Sequence, residues 1–383
     1  MGTEKVSPLS ASPLPPNSTI GILGDGQLGR MLALAAARLG LRVHSYGTAP
    51  DGPAAQVSHR HTHAAFDDGN ALERFASEID AATYEWENVP VRAAQIVGTG
   101  RRLAPGVVAL RTAQDRLLEK TFLQGLPGVE VAPFREVPSQ GEGGTVHDLR
   151  RAVQYVGLPC VLKTRRGGYD GKGQVVLRKD AEVEDAWEAF GAHALVLEKH
   201  VGFTRELSVV AVRGHDGEVR CYPAAENDHR GGVLHTSTAP VPDFAEGAEG
   251  AEATVKAVVD ALGYVGVIGV EFFDTGRGLL VNEFAPRVHN SGHWTQDAGC
   301  VDQFENHIRA VAGWPLGSTV PEHGVRMTNL LGSEVERWGE IAKGEGRLHL
   351  YGKREAREGR KMGHVNERWA AEPPNFRASE NSG

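Results

Sequence analysis

Glu271 and Glu283 stand in two short apolar runs, Val265–Phe273 and Gly278–Phe284, separated by Asp274-Thr275-Gly276. The runs are rich in β-branched and aromatic residues and the tripeptide supplies turn chemistry, so a hairpin with one acid on each strand is predicted. Two acids on neighbouring strands repel, and apolar surroundings make each ion costly. Mg²⁺ resolves that conflict, because it takes a few carboxylate oxygens and leaves its other positions to phosphate and water. Arg287, His289, Asn290 and His293 follow at once, with neither helical nor strand spacing. The combination points to a metal–nucleotide site with anion-binding groups beside it. A hairpin with solvent-facing acids is the competing reading, and the cluster after Asn282-Glu283 weighs against it.

Other stretches carry phosphate chemistry. The strand Pro159–Lys163 ends in a base and runs into Arg165-Arg166-Gly167-Gly168-Tyr169-Asp170-Gly171-Lys172-Gly173-Gln174. Such a loop offers flexible backbone amides and cations that can fold over phosphates, without the G-K-[ST] of a Walker A loop. It also serves as a hairpin turn into Val175–Leu177. The strand Ala194–Val201 ends Glu198-Lys199-His200-Val201; at a sheet edge it would present backbone groups to an adenine and Glu198 to a ribose. Earlier, Gly24-Asp25-Gly26-Gln27-Leu28-Gly29 lies between a strand, Thr19–Gly24, and a helix, Met31–Leu39. That order lets amides and a helix N-terminus meet a phosphate. A nicotinamide cofactor also needs an acid ending the second strand. Leu41–Tyr46 ends without one, so the domain reads as Rossmann-like and its glycines as structural or as facing another phosphorylated ligand. Glu85 and Glu87 share one side of a strand spanning 82–90, either as ligand-facing acids or as a surface pair. His59, His61 and His63 alternate as on a solvated edge strand. Lys353, Arg354, Arg357, Arg360 and Lys361 follow a strand Arg347–Tyr351, as a solvated face or a phosphate site.

These groups need a scaffold of alternating elements. Helices are predicted at Ala71–Ile79, Ala113–Leu123 (carrying Asp115, Arg116, Glu119 and Lys120), Ala245–Leu262 and Gln303–Ala312. Strands are expected at Glu206–Val212 and Tyr222–Asn227, with His229 in a loop Asp228–Gly232, and a last β-rich piece from Val325 to His364. A chain of 383 residues suits two or three domains. A net charge of −8 without a basic run argues against nucleic acid. Cys160, Cys221 and Cys300 lie far apart, which fits a reducing cytosol and a cytoplasmic location. No apolar run is long enough for a membrane span. Residues 1–18 lack an apolar h-region and read as a disordered leader; Met1-Gly2 lacks the Ser/Thr of a myristoylation site, having Val6 there.

Taken in order, Gly24–Arg30, Thr83–Asn88, Gly168–Gln174, Asn282-Glu283, Arg287–Trp294 (RVHNSGHW) and Gly359–His364 (GRKMGH) resemble the 5-(carboxyamino)imidazole ribonucleotide synthases, ATP-grasp enzymes of bacterial purine synthesis. The likeness covers residues 19 to 366; RVHNSGHW with GYDGKGQ is specific, G-x-G-x-x-G is not. It implies an α/β (α+β) ATP-grasp fold: a Rossmann-like domain at 19–112, an ATP-grasp domain at 113–313 with its lid near 120–197, and a small β-rich domain and tail at 314–383. It implies ATP-dependent carboxylation of 5-aminoimidazole ribonucleotide with bicarbonate through carboxyphosphate, and a homodimer. ATP contacts would be Arg116, Lys163, Gly168, Tyr169, Asp170, Gly171, Lys172, Gly173, Gln174, Glu198, Lys199, His200, Val201, Glu206, His229, Asn282 and Glu283. Glu271 and Glu283 would hold Mg²⁺. Arg287 and His289 would serve bicarbonate; Tyr169, Asp170 and Glu85 would orient or deprotonate the amine. Gly26, Gln27, Glu85, Lys353 and Arg360 would bind the ribonucleotide. Three departures stand out. Ala285 replaces an Asn that often ligates metal, Lys172 replaces an Arg, and the tail after Asn366 lacks an amphipathic helix. Another ATP-grasp ligase, a non-catalytic ATP-binding module and a nicotinamide dehydrogenase are the alternatives; the second requires losses among Lys163, Glu271, Glu283 and Arg287 that do not occur.

Overall fold

The computed structural model describes residues 12–168 and 172–369, and among these the chain forms three sheets. The first is parallel, its central strand Thr19–Leu23 flanked by Arg42–Gly47 and Ala81–Tyr84, with Arg60–His63 and Arg102–Leu103 at its edges. The three central strands are buried on both faces beneath crossover helices, which gives this Rossmann-like arrangement. Asp68 caps the crossover helix Gly69–Ser77 by accepting from the Ala71 amide. The histidines of the edge strand are spent on hydrogen bonds: His61 Nδ1 meets Ser45 Oγ, and the Nε2 atoms of His61 and His63 meet the carbonyls of Ala49 and Thr48.

The second sheet is large and antiparallel. It begins with the hairpin Gly266–Asp274 and Leu279–Ala285, continues through Arg205–Arg213, Ala225–Arg230 and Val233–Ala239, and ends with Gly324–Leu331, Lys361–Trp369 and Arg347–Leu350. The C-terminal β-rich piece is therefore not a sheet of its own. Thr236 pairs with Thr328, which joins it to the central strands. The third sheet, Phe134–Val137, Leu195–Lys199, Cys160–Thr164 and Gln174–Leu177, is built from the stretch expected to form the lid, and that word denotes it below.

Hydrophobic burial ties these parts unequally. One core runs from Ile20, Val43 and Leu32 to Trp294, Phe304, Met327 and Tyr351, so the first domain and the large sheet share their interior. The lid closes its own core from Val137, Leu149, Leu162, Leu177 and Leu197. Apolar burial is the main favourable term, so the first two parts hold together while the lid is a separate packing unit.

Several expectations change. Asp115 accepts from the amides of Leu117 and Leu118, and this cap ends one helix, Val107–Ala113, and starts another, Arg116–Gln124, where one was expected. His229 lies on the strand Ala225–Arg230, whose pairing with Val233–Ala239 makes the expected loop a hairpin. The strand Leu195–Lys199 is inside its sheet, between Phe134–Val137 and Cys160–Thr164, not at an edge. Of the expected leader, residues 12–18 are tied down. The Leu14 amide donates to Ala312 O, Trp314 Nε1 donates to Leu14 O, and Arg102 donates to Ser12 O. The strand Lys361–Trp369 also absorbs the start of the expected tail.

Candidate active site

The hairpin register places Glu271 opposite Glu283, at a local irregularity of the ladder. Burial, and then the Glu283 charge, push the Glu271 carboxyl up to about 7. Glu119, at the start of the helix Arg116–Gln124, is a third acid here; burial and Glu283 push it up to about 8. Its Oε1 accepts from the Phe284 amide at 2.7 Å. Nothing in the apolar spacing of that helix marked Glu119 as part of the site. Among the described residues no group of three or more His, Cys, Asp or Glu is arranged to hold a metal ion. A facing carboxylate pair that shares an unfavourable charge nevertheless suits Mg²⁺, which is held by one or two carboxylates plus substrate phosphate.

Arg287 follows the hairpin. Its Nε pairs with Glu87 from the first domain, and its Nη1 donates to Val288 O at 3.0 Å. Burial opposes ionisation of Glu87, and Arg287 outweighs it, holding that carboxyl below its ordinary value. His289 is driven well below its usual range by burial and by Arg287. The neutral ring takes its Ser291 contact through Nδ1, at 2.8 Å from Ser291 Oγ, and turns Nε2 toward Glu271 Oε1 at 3.4 Å. Gln303 fixes the backbone, accepting from His289 N and donating to His289 O.

Two lysines, one on the lid strand Cys160–Thr164 and one on the helix Arg116–Gln124, meet a single carboxylate. Lys163 Nζ lies 3.1 Å from Glu198 Oε2, and Lys120 Nζ lies 3.3 Å from the same oxygen. Both lysines outweigh burial and hold the Glu198 carboxyl down at about 2. Glu198 is thus engaged by two lysines. Glu206, a second acid of the cleft, is joined to His229 at 2.6 Å. Burial lowers His229, but the hydrogen bond and charge of Glu206 raise it overall. Arg116 braces the glycine loop, donating to Thr164 O and Gly168 O.

These groups surround one cleft of about 480 Å³. Of the expected residues, Gln27, Arg116, Lys163, Gly168, Gln174, Glu198, Lys199, His200, Val201, Glu206, His229, Glu271, Asn282, Glu283, Arg287 and His289 line it. The Lys199 ammonium, however, donates away from it to the carbonyls of Gly157 and Leu158. Tyr169, Asp170 and Gly171 lie outside the described residues, and Lys172 and Gly173 are not in the wall. Lys353 donates to Lys361 O and Arg360 to Glu355 O; Lys361 is the member of the basic cluster that reaches the cleft.

The first glycine loop behaves differently from its motif. Glu85 turns back into it and accepts from Gly26 N at 2.8 Å and Gly29 N at 3.1 Å. A carboxylate of the chain itself occupies the position that a cofactor phosphate takes in a dinucleotide fold. Glu85 and the Gly26 amide, both expected to meet the ribonucleotide, are thus hydrogen-bonded to each other.

Comparison with known proteins defines the class. Residues 17–114 match the ribonucleotide synthetase preATP-grasp domain, 124–304 the ATP-grasp domain, and 326–368 the phosphoribosylaminoimidazole carboxylase C-terminal domain. The fold is that of an ATP-grasp ligase. The N5-carboxyaminoimidazole ribonucleotide synthase of Brucella melitensis is 47% identical over 92% of this chain and 96% of its own length. A solved N5-carboxyaminoimidazole ribonucleotide synthetase with ADP superposes with a TM-score of 0.88 at 41% identity, covering 94% of this chain and 95% of that one. An Aspergillus clavatus enzyme in complex with ADP and 5-aminoimidazole ribonucleotide gives 0.85 at 30% identity, covering 92% and 94%. The chain belongs to the N5-carboxyaminoimidazole ribonucleotide synthase family.

Proposed function

We propose that the cleft between lid, hairpin and first domain carries out the family's reaction with the residues assigned below. The chain is an ATP-grasp ligase that forms a carbon–nitrogen bond, carboxylating the amine of 5-aminoimidazole ribonucleotide at the expense of ATP in purine biosynthesis. The carrying observation is that the paired acids Glu271 and Glu283, the lid cation Lys163 and the anion-binding pair Arg287 and His289 line a single cleft.

In this reading bicarbonate supplies the carbon. Its oxygen attacks the γ-phosphorus, ADP leaves, and the resulting carboxyphosphate loses phosphate to give CO2. The ribonucleotide amine attacks that carbon and loses a proton, giving the carbamate. Arg287, fixed by Glu87, holds the bicarbonate anion, and neutral His289 offers an N–H at the same place without competing for the negative charge. Lys163 and Arg116 serve the phosphates, and Glu206 with His229 serve the ribose side. The loop Gly168–Gln174 is assigned to excluding water, which carboxyphosphate requires. Glu271 and Glu283 would hold Mg²⁺, which when bound neutralises phosphate charge, with Asn282 beside them. Tyr169 and Asp170 are assigned to the amine, and Gln27, Lys353 and Arg360 to the ribonucleotide.

No helix among the described residues is long and apolar enough to cross a membrane. The free thiols support a cytosolic setting. The proposal includes the homodimer that the family resemblance implies, and sedimentation velocity reads its mass. The reaction is tested by ADP release from ATP with bicarbonate and 5-aminoimidazole ribonucleotide added singly and together. Release that needs both supports the assignment. Release indifferent to the ribonucleotide but raised by another amine would keep the ligase class and discard this substrate.

A further inference from the structure

Lys120 stands behind the cleft, not in it. Its side chain is 3% exposed, against 15% for Lys163, and only Lys163 of the two lines the wall. Both ammoniums approach one oxygen, Glu198 Oε2. Two like charges on a single oxygen repel, so Lys163 is kept less firmly than in a one-to-one pair. Lys120 cannot follow it out, because its Nζ also donates to Asn282 O at 2.6 Å. The neighbouring Glu119 grips the Phe284 amide at 2.7 Å, so two consecutive helix residues hold the strand on both sides of Glu283.

The charge balance then matters when phosphates arrive. Glu198 is buried, and a buried carboxylate stripped of its only counter-ion is strongly disfavoured. With Lys120 in place, Lys163 can leave Glu198 for a phosphate and the carboxylate keeps a partner. Without Lys120, Lys163 is the only cation left on Glu198 among the described residues, and moving it would strand a buried charge.

We propose that Lys120 is a positioning residue that holds the Glu198 carboxylate so that Lys163 is released to the nucleotide phosphates. This rests on the assignment of Lys163 to the phosphates given above. The residue touches neither nucleotide nor ribonucleotide; it acts through Glu198.

The test is a steady-state comparison of Lys120→Met, Glu198→Gln, the double variant and Lys163→Met in the ribonucleotide-dependent ADP release assay, with thermal melts to certify folding. Lys120→Met raises the ATP KM by about thirtyfold, in the range for removing one partner of a buried charge pair. The ribonucleotide KM stays near its normal value. Adding Glu198→Gln to Lys120→Met brings the ATP KM back to that of Glu198→Gln alone, since a neutral amide no longer detains Lys163. A normal ATP KM in folded Lys120→Met overturns the proposal. So does a double variant no better than Lys120→Met. Should Lys120→Met fail to fold, the double variant against Glu198→Gln decides. Equal ATP KM values support the proposal, and a further loss would put the Lys120 ammonium on the nucleotide itself and overturn it. Lys163→Met separates the two layers: an unchanged ATP KM there refutes the phosphate assignment, whereas an impaired Lys163→Met beside a normal Lys120→Met refutes only the role of Lys120.

Discussion

Two glycine-rich loops face phosphate chemistry in opposite ways. The loop at 24–29 has the spacing that reads as a phosphate cradle, and the chain fills it with Glu85. The loop at 167–174 matches no named motif, and its described ends, Gly167, Gly168 and Gln174, line the cleft under the brace of Arg116. Backbone amides at a helix start bind whichever anion is nearest. A carboxylate at fixed distance within the chain is always nearer than a ligand from solution. The motif therefore reports a loop geometry, and the occupant decides the function.

The largest expected effect tests whether the first loop is closed. Gly24 has φ +124, and a Cβ there would sit 2.3 Å from Glu85 Cγ. Gly24→Ala should cost about 4 kcal/mol, from backbone strain plus displaced charge-assisted hydrogen bonds. Urea unfolding that shows less than about 1 kcal/mol would mean Glu85 is not seated there. Glu85→Ala should cost about 3 kcal/mol, and inorganic phosphate should then stabilise the variant but not the parent, because the emptied amides accept an outside anion. Stabilisation of both proteins alike would erase the distinction between the loops.

The buried acids should also titrate in opposite senses. Glu198 is held at about 2, below its ordinary 4.5, so its stabilisation is full above 4.5 and is lost as pH falls toward 2. The loss amounts to about 3 kcal/mol, and Glu198→Gln should flatten the acid limb of the stability curve. Glu85 is raised, by burial that its two amide partners only partly offset. Its contribution is full below the unfolded value of 4.5 and shrinks as pH rises through the raised one. The deficit of Glu85→Gln should therefore narrow at higher pH, and chemical denaturation across pH reads both slopes. The smallest effect belongs to Gly167, with φ +78 and nothing within 4 Å of a built Cβ. Gly167→Ala should cost about 1 kcal/mol, the backbone penalty alone.

Much of this was legible in residues. The hairpin bearing Glu271 and Glu283 and the helix Gln303–Ala312 follow from runs of local periodicity and turn chemistry. Long-range charge pairing was not. Lys120 and Glu119 are placed only as members of a helix in sequence, because their partners Glu198 and Phe284 are 78 and 165 positions away. The turning of Glu85 into the glycine loop likewise depends on the parallel pairing of Thr19–Leu23 with Ala81–Tyr84, which no local pattern states. The merging of the C-terminal strands into the central sheet rests on an equally distant pairing, Thr236 with Thr328.

Amide hydrogen exchange with and without ADP and Mg²⁺ tests the contrast most directly. The account predicts slowed exchange in peptides covering 163–174 and 198–206 and no change across 24–30. Protection at 24–30 with none at 163–174 would contradict it, placing the nucleotide on the loop that Glu85 is held to close.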